Sequence, residues 1–395
     1  MFQNLERLPD DPILGLAAAA RADTNPDKVD LTVGIYMDES GVCPVFEAIQ
    51  KAQRALIEEE ISKAYLPAAG VAPYNEGIQK LVLGEGSAAL ADGRVSSIQA
   101  PGGCGALRIG AEIVYAAAPH ARVWVSDPTW PVHIPLLGSV GLSFETYRYY
   151  DPVTHGVNFD AMVEDLKNAK RDDVVLLHGC CHNPCGADLS QEQWGVIADM
   201  AEAQGFTPMI DIAYQGLGDG LEEDAAGLRQ LAARVPEMII AASCSKNMGL
   251  YRERTGCTIF LTENSDSAEA LLSQAKVAAR RVYSMPPGHG GLLAGRVLAD
   301  ESLTALWKAE LESMCQRING LRVDLVEKLQ AATGQDYEFI RKEKGMFSFL
   351  GLSQDQVKTL REDYSIYMTG SSRVNVAGVN ARNIDYLAES IAKVL

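Results

Sequence analysis

Met238-Ile239-Ile240-Ala241-Ala242-Ser243-Cys244-Ser245-Lys246-Asn247-Met248-Gly249-Leu250 is the stretch on which the fold turns. Its first five residues are a short, apolar, β-prone run, the pattern of a buried strand. Small hydroxyl residues and a lysine follow, with Arg254 eight residues after the lysine. An isolated lysine is mostly exposed. A lysine ending a buried strand is badly placed for a solvated charge and well placed for an amine that loses its proton and attacks a carbonyl. Desolvation and a nearby cation lower a lysine pKa, and Arg254 can supply the cation. Ser243 and Arg254 can also offer hydrogen bonds and charge to a phosphate. A lysine nucleophile beside phosphate-binding groups suggests a Schiff base with pyridoxal 5'-phosphate.

Similar apolar runs lie on either side: Arg122 to Ser126, Val174 to His178, Thr207 to Ile212 and Cys257 to Leu261. Helical patterns such as Gln191 to Gln204 and Gly227 to Arg234 separate most of them. This alternation predicts an α/β fold with a mainly parallel sheet covered on both faces. Ligands bind beyond the carboxyl ends of such strands, where Asp127, His178, Asp211 and Ser243 fall. The C-terminal part reads differently, with a long helix from about Leu303 to Thr333, short apolar runs, and a last helix from about Arg382 to Val394. The predicted organisation is therefore 1–44, short extended segments without a helical core that pack on the smaller domain; 45–302, the large domain; and 303–395, a small α+β domain.

At 395 residues the chain suggests two or three domains. With 35 Lys and Arg against 52 Asp and Glu, its formal charge is −17, which disfavours nucleic acid and anionic membranes as partners. Its start lacks the basic and apolar parts of a signal peptide, and no apolar run approaches a membrane span. The eight cysteines lack the even spacing of a secreted scaffold, so reduced thiols and a cytoplasmic location are expected.

Other constellations carry chemistry. Gly102-Gly103-Cys104-Gly105 opens a helical pattern, and free N–H groups at a helix start attract phosphate, although flexible turns of this composition are common. Asp211 can pair with a protonated pyridine nitrogen or cap a helix, and Tyr214 follows three residues on. His178-Gly179-Cys180-Cys181-His182-Asn183-Pro184-Cys185-Gly186 holds zinc-type ligands too crowded for the usual spacing, so no metal is expected. It also holds a turn signature with room for a cis bond at Pro184 and an Asn183 aimed at the site. Trp130, between Pro128 and Pro131, offers a face to a planar ring or fills core. Arg280 and Arg373 are candidate carboxylate clamps.

In this order the motifs resemble the fold-type I pyridoxal-phosphate aminotransferases of the aspartate and aromatic amino acid family. The resemblance runs from Leu31-Thr32-Val33-Gly34 to Arg373-Val374-Asn375-Val376-Ala377-Gly378. It implies a large, mainly parallel, seven-stranded sheet domain and a smaller α+β domain built from both termini. It implies that Lys246 carries the cofactor and shuttles the Cα proton, that Asp211 pairs with the pyridinium nitrogen, and that His133 supports Asp211. Tyr214 and Asn183 would bond the phenolate oxygen and Trp130 would stack on the ring. Gly103, Cys104, Ser243 and Arg254 would hold the phosphate, with Tyr65 from a second subunit. Arg373, near Gly34, would bind the substrate α-carboxylate, and Arg280 of a neighbouring subunit the distal carboxylate. Shared sites imply an obligate homodimer acting on amino and 2-oxo acids, with Met1 to about Asp11 as an arm on the partner.

Departures from the aspartate-selective pattern concern specificity: Met37, Cys43, Ala64, Cys104 and Met285 stand where those relatives carry lysine, threonine, asparagine, threonine and asparagine. Each change makes the neighbourhood less polar, which favours an aromatic ring. The retained Arg280 favours aspartate and glutamate. The resemblance thus implies an aromatic amino acid aminotransferase with 2-oxoglutarate as acceptor and some aspartate activity, with an aspartate-selective enzyme as alternative. A β-lyase or decarboxylase fits paired arginine clamps less well, and a ligand-sensing module would need a DNA-binding segment that the sequence does not contain.

Overall fold

A computed structural model describes residues 1–8 and 12–395. The chain forms two compact units. One consists of Pro44–Asn183 and Ala187–Arg317, the other of Met1–Cys43, Pro184–Gly186 and Ile318–Leu395.

The large unit is built on a seven-stranded sheet: β1 (Val95–Pro101), β2 (Arg122–Asp127), β3 (Ser143–Arg148), β4 (Val174–His178), β5 (Thr207–Ile212), β6 (Met238–Ser243) and β7 (Thr255–Leu261). Their spatial order is β1-β7-β6-β5-β4-β2-β3. Strand β7 is antiparallel to both its neighbours, and the other pairs are parallel. The register aligns the functional edge: Thr255 lies opposite Pro101, Gly256 opposite Ser243, Asp211 opposite Ala241, and His178 opposite Asp211. Residues from separate strands are thereby delivered to one line at the sheet's end. Beneath them lies a continuous core that includes Ile98, Leu107, Val123, Val125, Leu176, Met209, Ile239 and Phe260. Helix Gln191–Gln204 shows how local chemistry sets the joints. Ser190 and Gln193 cap its start reciprocally, and Gly205 ends it in the left-handed region.

The small unit has its own core, in which Val29 and Leu31 pack with residues such as Leu325, Leu329, Ile366, Val374 and Ile391. Strand Val29–Asp30 runs parallel to Ile366–Tyr367, and Phe347–Phe349 runs antiparallel to Arg373–Asn375. The N-terminal segment, expected without a helix, contains helix Pro12–Ala22. Its alanine-rich run is the best intrinsic helix former. Phe339 and Ile340, one of the short apolar runs of the C-terminal part, begin a short helix, Phe339–Lys342. Pro9, Asp10 and Asp11, part of the expected arm, lie outside the described residues. Among those described, no helix is long and apolar enough to cross a membrane.

Candidate active site

Lys246 begins the turn that leaves β6. Cys244 N–H donates to Thr255 O at 3.0 Å and Gly249 N–H to Lys246 O at 3.1 Å, closing the loop between β6 and β7. Trp307, fully buried, donates from Nε1 to Asn247 O at 2.6 Å and fixes the residue after the lysine. Burial holds the Lys246 pKa below the usual lysine value. Arg254 pushes the same way, and Asp211 opposes both. The ammonium lies 5.0 Å from the Tyr214 ring centroid. This is an amine pressed towards its neutral form, as a nucleophile or proton carrier requires.

Asp211 is held by a relay of side chains. Its Oδ2 lies 2.9 Å from His133 Nε2, and His133 Nδ1 lies 2.8 Å from Thr129 Oγ1, which reaches His178 Nε2 at 3.4 Å. An ionised carboxylate only accepts, so His133 Nε2 donates to Asp211. Burial alone would raise the Asp211 pKa. The hydrogen bond from His133 first, with the neighbouring His133, His178 and Lys246, outweighs it, leaving Asp211 below the usual carboxylate range. His178 goes the other way. Burial and the neighbouring His133 hold it down at about 3, so its ring is neutral. Trp130 meets His133 edge-on, with centroids 5.3 Å apart.

A cradle for an anion forms where β1 enters helix Gly102–Ala117. Gly102 has φ +69°, and a Cβ there would lie 2.4 Å from the Arg254 guanidinium. Only glycine lets the arginine approach the free N–H groups of the helix start. Gly102 N–H donates to Arg254 O at 2.9 Å, and Arg254 Nη1 donates to Tyr251 O at 2.8 Å. A Cβ on Gly103 would lie 3.6 Å from the Ser243 Cβ, so Ser243 faces the same space. Cys104 is half-buried beside this group. Burial raises its thiol pKa, with Asp211 adding to the rise and Arg254 and Lys246 opposing it.

Two carboxylates not singled out from the sequence, Asp224 buried and Asp188 partly so, shape the adjoining loops. Asp188 accepts from the N–H groups of Cys181 (2.6 Å) and His182 (2.8 Å), just before Asn183. Asp224 accepts from those of Gly216 (2.8 Å), Gly218 (2.9 Å) and Asp219 (2.8 Å), just after Tyr214. Both Asn183 and Tyr214 are buried. The potential ligand atoms of Cys180, Cys181 and Asp224 lie within 4.8 Å of one another, without a histidine. His178 and His182 instead lie against each other as tilted rings, with centroids 3.9 Å apart and 39° between their planes. The histidine–cysteine zinc set considered from the sequence is therefore not brought together. Among the described residues the cis peptide bond is Asp127–Pro128, not Asn183–Pro184.

In the small unit, Arg373 is buried and donates from Nη2 to Thr32 O at 2.6 Å. Its guanidinium lies 4.4 Å from the Phe347 ring centroid. Asn375 Nδ2 donates to Val33 O and Ile35 O, both at 2.8 Å, and so fixes the backbone on either side of Gly34. A Cβ at Gly34 would lie 2.4 Å from Phe347 Cζ. Tyr65 and Arg280 are exposed, Tyr65 by 91%. Arg280 donates to Ser284 Oγ at 2.9 Å.

The sequence profile of the family described as aminotransferase class I and II matches residues 26–391. Over the whole of both chains, the sequence is 45% identical to an aspartate aminotransferase of Salmonella typhi and 45% identical to an aromatic-amino-acid aminotransferase of Paracoccus denitrificans. Its structure superposes with a TM-score of 0.98 on a Burkholderia pseudomallei aromatic-amino-acid aminotransferase covalently bound to pyridoxal phosphate. That pair is 44% identical, covering 100% of this chain and 99% of the other.

Proposed function

The chain belongs to the class I and II aminotransferases, and from that membership we propose a pyridoxal-phosphate-dependent aromatic amino acid aminotransferase. It moves the amino group of phenylalanine, tyrosine, tryptophan or aspartate to 2-oxoglutarate. One observation carries the reading: a half-buried lysine with a depressed pKa just beyond the end of β6, near an ionised aspartate and an arginine-lined anion cradle.

The residues fit the cofactor. Gly102 leaves open the space a Cβ would fill, so that Arg254, Ser243 and the N–H groups of Gly103 and Cys104 can hold a phosphate. Cys104 contributes backbone there, because a thiol is a weak donor. Asp211, kept ionised by His133, suits a pyridinium nitrogen. Asn183 and Tyr214 serve the phenolate side, and Trp130 the ring face. When bound, pyridoxal 5'-phosphate supplies an electron sink for the substrate Cα. Neutral Lys246 Nζ takes the Cα proton and returns it. Arg373, beside Gly34, binds the α-carboxylate and orients Cα.

Tyr65 and Arg280 complete the site of a second copy, so the working form is a homodimer. Their exposure supports this, as do the N-terminal side chains Met1, Phe2, Leu5 and Leu8, each at least 75% exposed. Eight free cysteines support a cytoplasmic location. The small unit and the large unit are read as the substrate-clamping and cofactor-holding domains.

The test is a single-turnover absorbance titration of cofactor-loaded protein with phenylalanine and aspartate in separate experiments. Conversion to the pyridoxamine band by both, faster per unit concentration with phenylalanine, supports the proposal. Response to aspartate alone makes the enzyme aspartate-selective, the reading that Arg280 favours. No response to either defeats the aminotransferase assignment.

A further inference from the structure

The small unit buries a second arginine near Arg373. Arg322, on helix Glu301–Thr333, and Glu343 are 1% and 2% exposed. Arg322 Nη1 donates to Ile340 O at 3.0 Å, and Nη2 donates to Gly345 O and Phe347 O, both at 2.7 Å. Its contact with Glu343 Oε2 is longer, 3.4 Å. The other carboxyl oxygen, Oε1, is buried with no hydrogen-bond partner among the described residues. A buried ionised carboxylate with one long contact and one bare oxygen is unfavourable. Burial pushes Glu343 up to about 8, against the pull of Arg322 and Ser348.

Two parts of the unit rest on this pair. The first is Phe347, whose carbonyl is held by Arg322, whose ring lies under Arg373, and whose edge leaves no space at Gly34. The second is Gly186, third residue after Asn183 in the chain. Gly186 O accepts from Lys344 N–H at 2.7 Å. Gly186 has φ +72°, and a Cβ on it would lie 3.0 Å from Glu343 Cβ and 2.5 Å from Phe347 O. Glu343 therefore packs between the turn ending at Gly186 and the strand that carries the ring.

We propose that Glu343 is a positioning residue for the Arg373 carboxylate clamp, its proton setting how Arg322 shares its donors between Glu343 and the backbone under Phe347. The proposal rests on Arg373 binding the α-carboxylate. With Glu343 neutral, Arg322 keeps its donors on the three carbonyls, and the Phe347 ring stays beneath Arg373. When Glu343 ionises, Oε2 competes with Ile340 O for Nη1, the guanidinium turns towards the carboxylate, the Nη2 bonds to Gly345 O and Phe347 O loosen, and the platform under Arg373 shifts. Arg322, from the long helix, is the charged side chain in contact with Glu343 among the described residues. Ser348 bears on it from the strand, and Lys342 and Lys344 flank it in the chain.

Glu343→Gln fixes a neutral isostere and is compared with the wild-type holoenzyme. The wild-type KM for the amino acid should rise severalfold through an ionisation near pH 8 that the variant lacks, with kcat at pH 7 unchanged. Thermal unfolding reads the same proton without turnover. The folded-state pKa lies above the ordinary 4.5. The wild type should therefore lose stability relative to the variant as pH rises from about 4.5 to about 8, with a constant gap beyond. A flat gap overturns the proposal, because Glu343 then does not titrate there. A growing gap with superimposable KM profiles overturns it too, because Glu343 then titrates without positioning. Arg373→Ala is the separate control: unchanged KM in that variant removes the clamp itself. If the glutamine variant cannot be recovered, Arg322→Lys should raise KM more than it lowers kcat, and equal losses overturn the proposal.

Discussion

In the large unit, partly buried charges face other ionisable groups. Asp211 meets His133, and Lys246 feels both Asp211 and Arg254. In the small unit, Arg322 and Arg373 are held chiefly by carbonyl oxygens and an aromatic face. Mutual titration in the first cluster fixes which group owns each proton, as proton transfer requires. Carbonyls and rings solvate the Arg373 guanidinium without cancelling its charge, an environment suited to binding an anionic ligand. The first cluster is arranged for chemistry, the second for recognition.

The largest way to break this contrast is Lys246→Ala. It should lower the single-turnover rate with phenylalanine by about 10⁴-fold or more, and a tenfold loss would show that the chemistry lies elsewhere. Next, Arg373→Ala should cost about 2–5 kcal/mol in kcat/KM, mostly through KM, for aspartate and phenylalanine alike. A loss confined to kcat would move Arg373 into the chemical group. Acid separates the clusters more gently. The folded-state pKa of His178 is depressed from 6.5 to about 3. The unfolded chain therefore binds more protons between those values, and stability falls as pH drops through the window, by at most roughly 1.4 kcal/mol per pH unit. His178→Gln should remove that part of the slope in thermal unfolding, and an unchanged slope would assign acid sensitivity to other groups. The smallest effect is expected from Trp307→Phe. It loses the hydrogen bond to Asn247 O and should destabilise by about 0.5–1.5 kcal/mol in urea unfolding, with substrate KM unchanged.

Strands β4 and β6 were legible because they are unbroken apolar runs ending in a polar residue, and β5 because Met209 and Ile210 lead into Asp211. Strand β1 was not: Ser96, Ser97 and Gln99 interrupt it, yet all three are buried. Gln99 shows why this is tolerated, since Oε1 accepts from Val71 N–H at 2.9 Å and Nε2 donates to Pro287 O at 2.8 Å. Those partners lie 28 and 188 residues away, beyond any local pattern. Edge strand β3 also escaped, with most of its residues at least partly exposed. The antiparallel direction of β7 has no local signature. Within the candidate site, residues with chemistry written in their type stood out: lysine at a strand end, glycines before a helix, and arginines. Asp188, Asp224, Trp307 and the Arg322–Glu343 pair did not: the two aspartates act by the way their loops curl back on them, and the partners of Trp307 and Arg322 lie beyond any local pattern.

The pairing of Val29 with Ile366 has a consequence during synthesis. Its strands are separated by roughly 340 residues, which a ribosome adds in roughly 20–70 s at about 5–20 residues per second. For most of that interval Val29 and Leu31 have left the ribosome while most of their core neighbours are still untranslated. The nascent chain therefore carries an unmatched apolar segment at its leading end, and that segment is where a holding chaperone should bind first.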